Sequence, residues 1–150
     1  MTYKIGGERP SGRLKAMGVT AADSTARYAE LERLVGLPEL RGPLTRTYRN
    51  NPVGKLALAR VGPEKLAPYV RTVLDGAQND DLGKPAPTRK SVLAEYPVDG
   101  ELRNLMEKDA EIREAVEGST VHLVSAVHQK RVHEANRSVP STDSGYYGAI

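Results

Sequence analysis

The chain has no cysteine, no phenylalanine and no tryptophan among its 150 residues. Without cysteine there is no disulfide, no thiolate zinc site and no thiol nucleophile, so no oxidising compartment is needed. Without Phe and Trp, the bulk of any core must come from Leu, Val and seven Tyr, with only three Ile. Leu, Ile and Val together number 32, about a fifth of the chain and just above the level at which disorder becomes the default. The expectation is a modest core, completed by a partner or by further copies of the chain. No apolar run approaches the roughly 18 residues of a membrane span. The stretch from Met1 to Pro10 has no apolar segment of the kind a signal peptide carries.

Charge is present but unevenly spread. Residues 1–60 carry 11 Lys/Arg against 5 Asp/Glu, whereas residues 61–118 carry 8 against 12. A basic front and an acidic middle can pair within one chain or head to tail between copies.

The pattern of periodicity and breakers reads as mainly α. It predicts a small helical domain with extended N- and C-terminal arms and at most minor β. Residues 1–19 form an extended basic arm, with four Gly and Lys4, Arg9, Arg13 and Lys15. Residues 20–76 form a small helical region. Its first helix, 20–35, is capped by Thr20 or Asp23, faces inward through Tyr28, Leu31, Leu34 and Val35, and stops at Gly36. Lys55–Val61 fits either a strand or one and a half helical turns. A second helix follows Pro63 and ends at Gly76; Pro68 lacks an N–H, so regular helix could begin only there. Residues 77–98 are a linker with a short helix over 89–96, capped by Thr88. Residues 99–138 are a long helical region opened by Asp99, with Gly118 as a weak point near 1 kcal/mol relative to Ala. Within it, 119–127 also alternates as a strand would, but its unbroken length favours helix. Residues 139–150 form an extended C-terminal tail.

Chemistry-bearing constellations are few. His122, His128 and His133 are spaced six and five apart, whereas one helical face holds two ligands at i and i+4. Interface or surface histidines are the simpler reading. Gly6-Gly7 and Gly12 lack the Lys-Ser/Thr of a phosphate loop. Glu107, Asp109 and Glu111 do not converge on a helix and read as a solvated face. No nucleophile, cofactor or metal set is implied, and the chain is not expected to be an enzyme. The basic front stands out. Arg41, Arg46, Arg49, Lys55 and Arg60 surround Tyr48. Arginines neutralise phosphates and a tyrosine can stack on a base, but arginines equally grip carboxylates of a neighbouring subunit. No base-reading motif accompanies them.

The last forty or so residues resemble a known family. Asp109-Ala-Glu-Ile-Arg-Glu-Ala-Val116 opens an Ala/Val-rich helix that runs to Asn136-Arg-Ser-Val-Pro140. Val139-Pro140, Thr142-Asp143-Ser144-Gly145, Tyr147 and Ile150 follow in order. This is similar to the neck (tail-completion, or head–tail joining) proteins of long-tailed bacteriophages. The physics of the pattern is a helix stop at Pro140, a turn at 143–145 and a strand-like segment that docks back. Residues 1–98 have no counterpart in the resemblance, nor does the β-sheet that follows the motif in the family.

The resemblance implies a virion structural subunit, at the head or head–tail junction, made in the cytoplasm of a bacterial host. Its partners would be copies of itself and other virion proteins, with contact to packaged DNA as an option, and with no membrane and no small-molecule substrate. Arg13, Arg41, Arg46, Tyr48 and Arg49 are the expected contacts at the basic front. Tyr146, Tyr147 and Ile150 are the expected anchors of the tail. A reading from a different class is a small nucleic-acid-binding accessory protein.

Overall fold

The structure is a computed structural model and describes residues 20–138. The expected arms at 1–19 and 139–150 lie outside the described residues. These hold seven α-helices, one short 3₁₀ turn and no strand: α1 Ala21–Val35, the turn Pro38–Leu40, α2 Arg41–Tyr48, α3 Pro52–Val61, α4 Pro63–Gln78, α5 Arg89–Glu95, α6 Gly100–Lys108 and α7 Ala110–Ser138.

Local chemistry sets most of these boundaries. Thr20 accepts from the Asp23 N–H while the Asp23 carboxylate takes the Thr20 N–H, a reciprocal cap that satisfies two orphan donors of α1. Gly36 closes α1 in the left-handed conformation, φ 66°, which costs glycine nothing. Asn51 caps α3 through the Val53 N–H, and Pro52 and Pro63 occupy first positions where no N–H is missed. Thr88 and Ser91 repeat the reciprocal cap at α5.

The structure settles one alternative that the sequence leaves open and departs from expectation at two places. Lys55–Val61, open between strand and helix in the sequence, is helix, because Asn51-Pro52 starts one there. α2 has no counterpart among the expected helices: Gly42-Pro43 reads as a breaker, yet Pro43 sits in the first turn, where its missing N–H has no intrahelical partner to lose. α4 runs through both Pro68 and Gly76 to Gln78. Pro68 is on its exposed side, and Gly76 is there for closeness, since a Cβ would stand 2.7 Å from the Tyr96 ring. The 99–138 region holds two helices, and the second begins at the Asp109 that the sequence offers as the opening of a long helix. Asp99 occupies the cap position of α6 without a capping bond from its side chain. Asp109 breaks the run, its Oδ1 accepting from the Glu111 and Ile112 N–H groups at the start of α7.

α7 is the axis of the fold and packs against α2, α3, α4, α5 and α6. Between Ile112 and Val127 its buried residues recur at helical spacing, among them Ile112, Ala115, Val116, Ser119, Thr120, Leu123, Val124 and Val127. One broad face is thus turned to the other helices, while Arg113, Glu114 and Gln129 stay outside. One continuous core extends from Tyr28 to Val127. Tyr28, Tyr48 and Tyr96 fill the places that Phe or Trp would take. Burial obliges a fold to satisfy the hydroxyl that each tyrosine brings. The Tyr28 hydroxyl meets Thr45 Oγ1 at 2.7 Å, and the half-buried Tyr69 donates to the Tyr96 carbonyl at 2.6 Å. Tyr48 is held by Ser119 of α7. The Tyr96 hydroxyl is the exception, buried beside Gly76 with no hydrogen-bond partner among the described residues.

Candidate interaction surface

α2 divides its side chains sharply. Pro43, Leu44, Thr47 and Tyr48 are buried, while Arg41, Arg46 and Arg49 are exposed on the opposite side. The helical repeat spreads those three guanidiniums over a broad outer face. Arg41 Nε pairs with Glu32 of α1 at 2.8 Å. Arg46 reaches Gln129 Oε1 of α7 at 3.4 Å. Arg49 has no carboxylate partner among the described residues.

Beneath this face, α2 is joined to α7 by Thr47 Oγ1 and His122 Nδ1, 2.9 Å apart. Burial, and then the nearby Arg46 charge, hold the His122 imidazole below its ordinary pKa. A neutral imidazole can accept from Thr47 or donate to it. The joint therefore positions Arg46 over the outer surface of α7, next to Gln129.

From Val132 to Arg137, α7 continues as helix with every residue exposed, including Val132 at 37%. Lys130 pairs with Glu134 at 2.7 Å along this stretch, and His133 and Arg137 add to its basic character. α2 and the distal part of α7 thus form one exposed, mostly basic surface.

The remaining arginines show how much positive charge the fold itself consumes. Arg27 donates to the Ala59 carbonyl at 2.8 Å, Arg71 to Val35 at 3.1 Å and Arg131 to Ala77 at 3.0 Å. These carbonyls lie in the last turns of α3, α1 and α4, where they lack intrahelical donors or gain from a cation. Arg60 joins both Asp109 and Glu111, tying α3 to the start of α7. The basic front and acidic middle of the sequence meet here within one chain.

The structure brings Arg41, Arg46 and Arg49 to one face. It removes Tyr48 from it: the ring is 1% exposed, so it cannot stack on a base or meet a partner. Burial raises its hydroxyl well above the usual range for tyrosine. Arg13, Tyr146, Tyr147 and Ile150 lie outside the described residues. The sequence reading missed Gln129 on this surface and Thr47 beneath it, and took His122 only as a surface or interface histidine. Only the packing of α2 on α7, which no local signal announces, brings them together.

No group of three metal-ligating side chains occurs among the described residues, and none of their helices is long and apolar enough to cross a membrane. No protein family, curated protein or solved structure matches the chain.

Proposed function

We propose that the chain is a non-enzymatic structural subunit of a phage virion, at the head or head–tail junction, acting through contacts with copies of itself and other virion proteins. The observation that carries this reading is the distal end of α7. One and a half turns of helix stand exposed, carrying Val132, and lead straight into the segment that resembles the neck-protein motif. Helical turns without packing are marginal in water, and a surface of this kind gains its stability when covered. The arginine face of α2 lies beside it and supplies partners for acidic side chains.

The test is the mass of the purified protein by light scattering at low and high salt, with nuclease treatment. The expected result is a defined oligomer, or a ladder of oligomers that dissolves as salt rises. Reversing Arg46 and Arg49 to Glu should lower that mass without lowering the melting temperature. Unchanged assembly in the reversed variant would count against the surface.

Arg49, without a carboxylate partner among the described residues, favours one other reading, a small nucleic-acid-binding accessory protein. It requires co-purifying nucleic acid, a log–log salt slope near −0.9 per phosphate contacted on duplex DNA, and loss of binding in an Arg46→Ala/Arg49→Ala variant.

A further inference from the structure

A trough crosses the molecule between the first half of α4, the segment joining α5 to α6, and α6. One part has a volume of about 520 Å³, lies over Pro68, Pro97 and Leu102, and is rimmed by Glu64, Asp99 and Glu101. A second part, of about 320 Å³, shares Tyr69, Pro97 and Val98 with the first and continues over Met106 towards Arg103 and Arg113. The trough is therefore one surface with an apolar floor. Tyr69 is fixed in it by its bond to the Tyr96 carbonyl. The acidic end holds three carboxylates against one ammonium, Lys65, which pairs with Glu101 at 3.3 Å. Glu64 and Asp99 have no ion-pair partner among the described residues.

We infer that this trough receives the basic segment 1–19 of a second copy of the chain. The argument is complementarity. That segment carries Lys4, Arg9, Arg13 and Lys15 against the single Glu8, interleaved with Tyr3, Ile5, Leu14 and Met17. Its cations match the unpaired carboxylates of the rim, and its apolar side chains match the floor. Position argues for a neighbour's segment rather than the chain's own. Glu64 faces Arg33 in the last turn of α1, so the acidic end lies at the far end of α1 from Thr20. The chain's own segment would spend about seven residues, 13–19, running back the roughly 22 Å of the helix. Leu14, Lys15 and Met17 would then fall short of the trough, whereas a neighbour's segment can lay its whole length there. A contact of one surface with a different one on the next copy is head to tail, and repeats into a ring or a filament. The inference rests on the assembly reading above and names the partner surface for it.

The absence of native cysteine makes the test direct. Two full-length variants are prepared, Ser11→Cys in the basic segment and Thr72→Cys on the exposed edge of the trough, and each is checked for unchanged circular dichroism. They are mixed and oxidised at low salt, and the products are read by mass spectrometry. The expected product is a disulfide joining position 11 of one chain to position 72 of another. It should form in excess over either homodimer and be lost when Glu64 and Asp99 are both reversed to Lys. A chain carrying both substitutions that cross-links only within itself when dilute, with no cross-link in the mixture, would overturn the neighbour as occupant. Oligomers by light scattering with no disulfide between positions 11 and 72 would overturn the trough but leave the assembly reading standing. A monomer with no cross-link would overturn both.

Discussion

At position 54 there is no space for a side chain. A Cβ there would fall 1.7 Å from the Thr47 carbonyl oxygen, backbone that cannot swing aside, so α2 and α3 touch through this glycine. Gly54→Ala should therefore cost about 3 kcal/mol or more by forcing the helices apart, read as a lower urea midpoint. Gly42→Ala on the exposed side of α2 meets nothing within 4 Å and should instead stabilise, by up to about 1 kcal/mol. Neither difference is visible in the sequence, where both are glycines in a stretch punctuated by proline. His122 gives the pH dependence. Its pKa is held below the ordinary 6.5 in the fold, so the unfolded chain takes up the proton first as pH falls. Stability is full above that range and is lost as pH drops through it. His122→Gln should flatten urea midpoints measured between about pH 7 and pH 5. Glu30, Asp80 and Glu134, all lowered from the ordinary carboxylate range, act only at more acid pH.

Among the elements, α1, α5 and the length of α7 were legible because their signals are local. Thr20, Gly36 and Thr88 act on backbone groups within four residues of themselves. The start of α7 was legible only in part: Asp109 could be named as the residue that opens a long helix, but the hydrophobic period does not mark it. Leu102, Leu105, Met106, Ile112 and Val116 keep a helical period straight through it, and period alone does not record a change of axis. What decides is the Asp109 side chain, which caps α7 and at the same time meets Arg60 of α3. Asp109→Ala should lose about 1–2 kcal/mol from the cap alone. A double-mutant cycle with Arg60→Ala, measured by denaturant unfolding, should show that the two losses are not additive, because they share one network. α2 was illegible for the opposite reason. Its helix rests on burial of Leu44, Thr47 and Tyr48 against α7, and its own residues are poor helix formers.

For the molecule as a whole, composition announced a core short of large aromatic residues. The few large apolar residues are concentrated between Tyr28 and Val127, and buried tyrosines supply the missing bulk. Composition was informative about charge, but only the fold shows how it divides. Part is spent on helix ends by Arg27, Arg71 and Arg131, part closes α3 on α7 through Arg60, and part stays outside on α2. The candidate surface was half legible: its three arginines could be picked out, whereas the helix beside them and the exclusion of Tyr48 depend on tertiary packing.

The place of α7 in the chain has a consequence in time. It is the last of the described helices, and five of the other six helices rest on it. During synthesis α1 to α6 emerge first, with their inward faces still uncovered. The core cannot close until the residues around Val127 have been made. Folding should then be a single late event rather than a helix-by-helix accumulation, and nascent chains stopped before about residue 120 should remain protease-sensitive throughout.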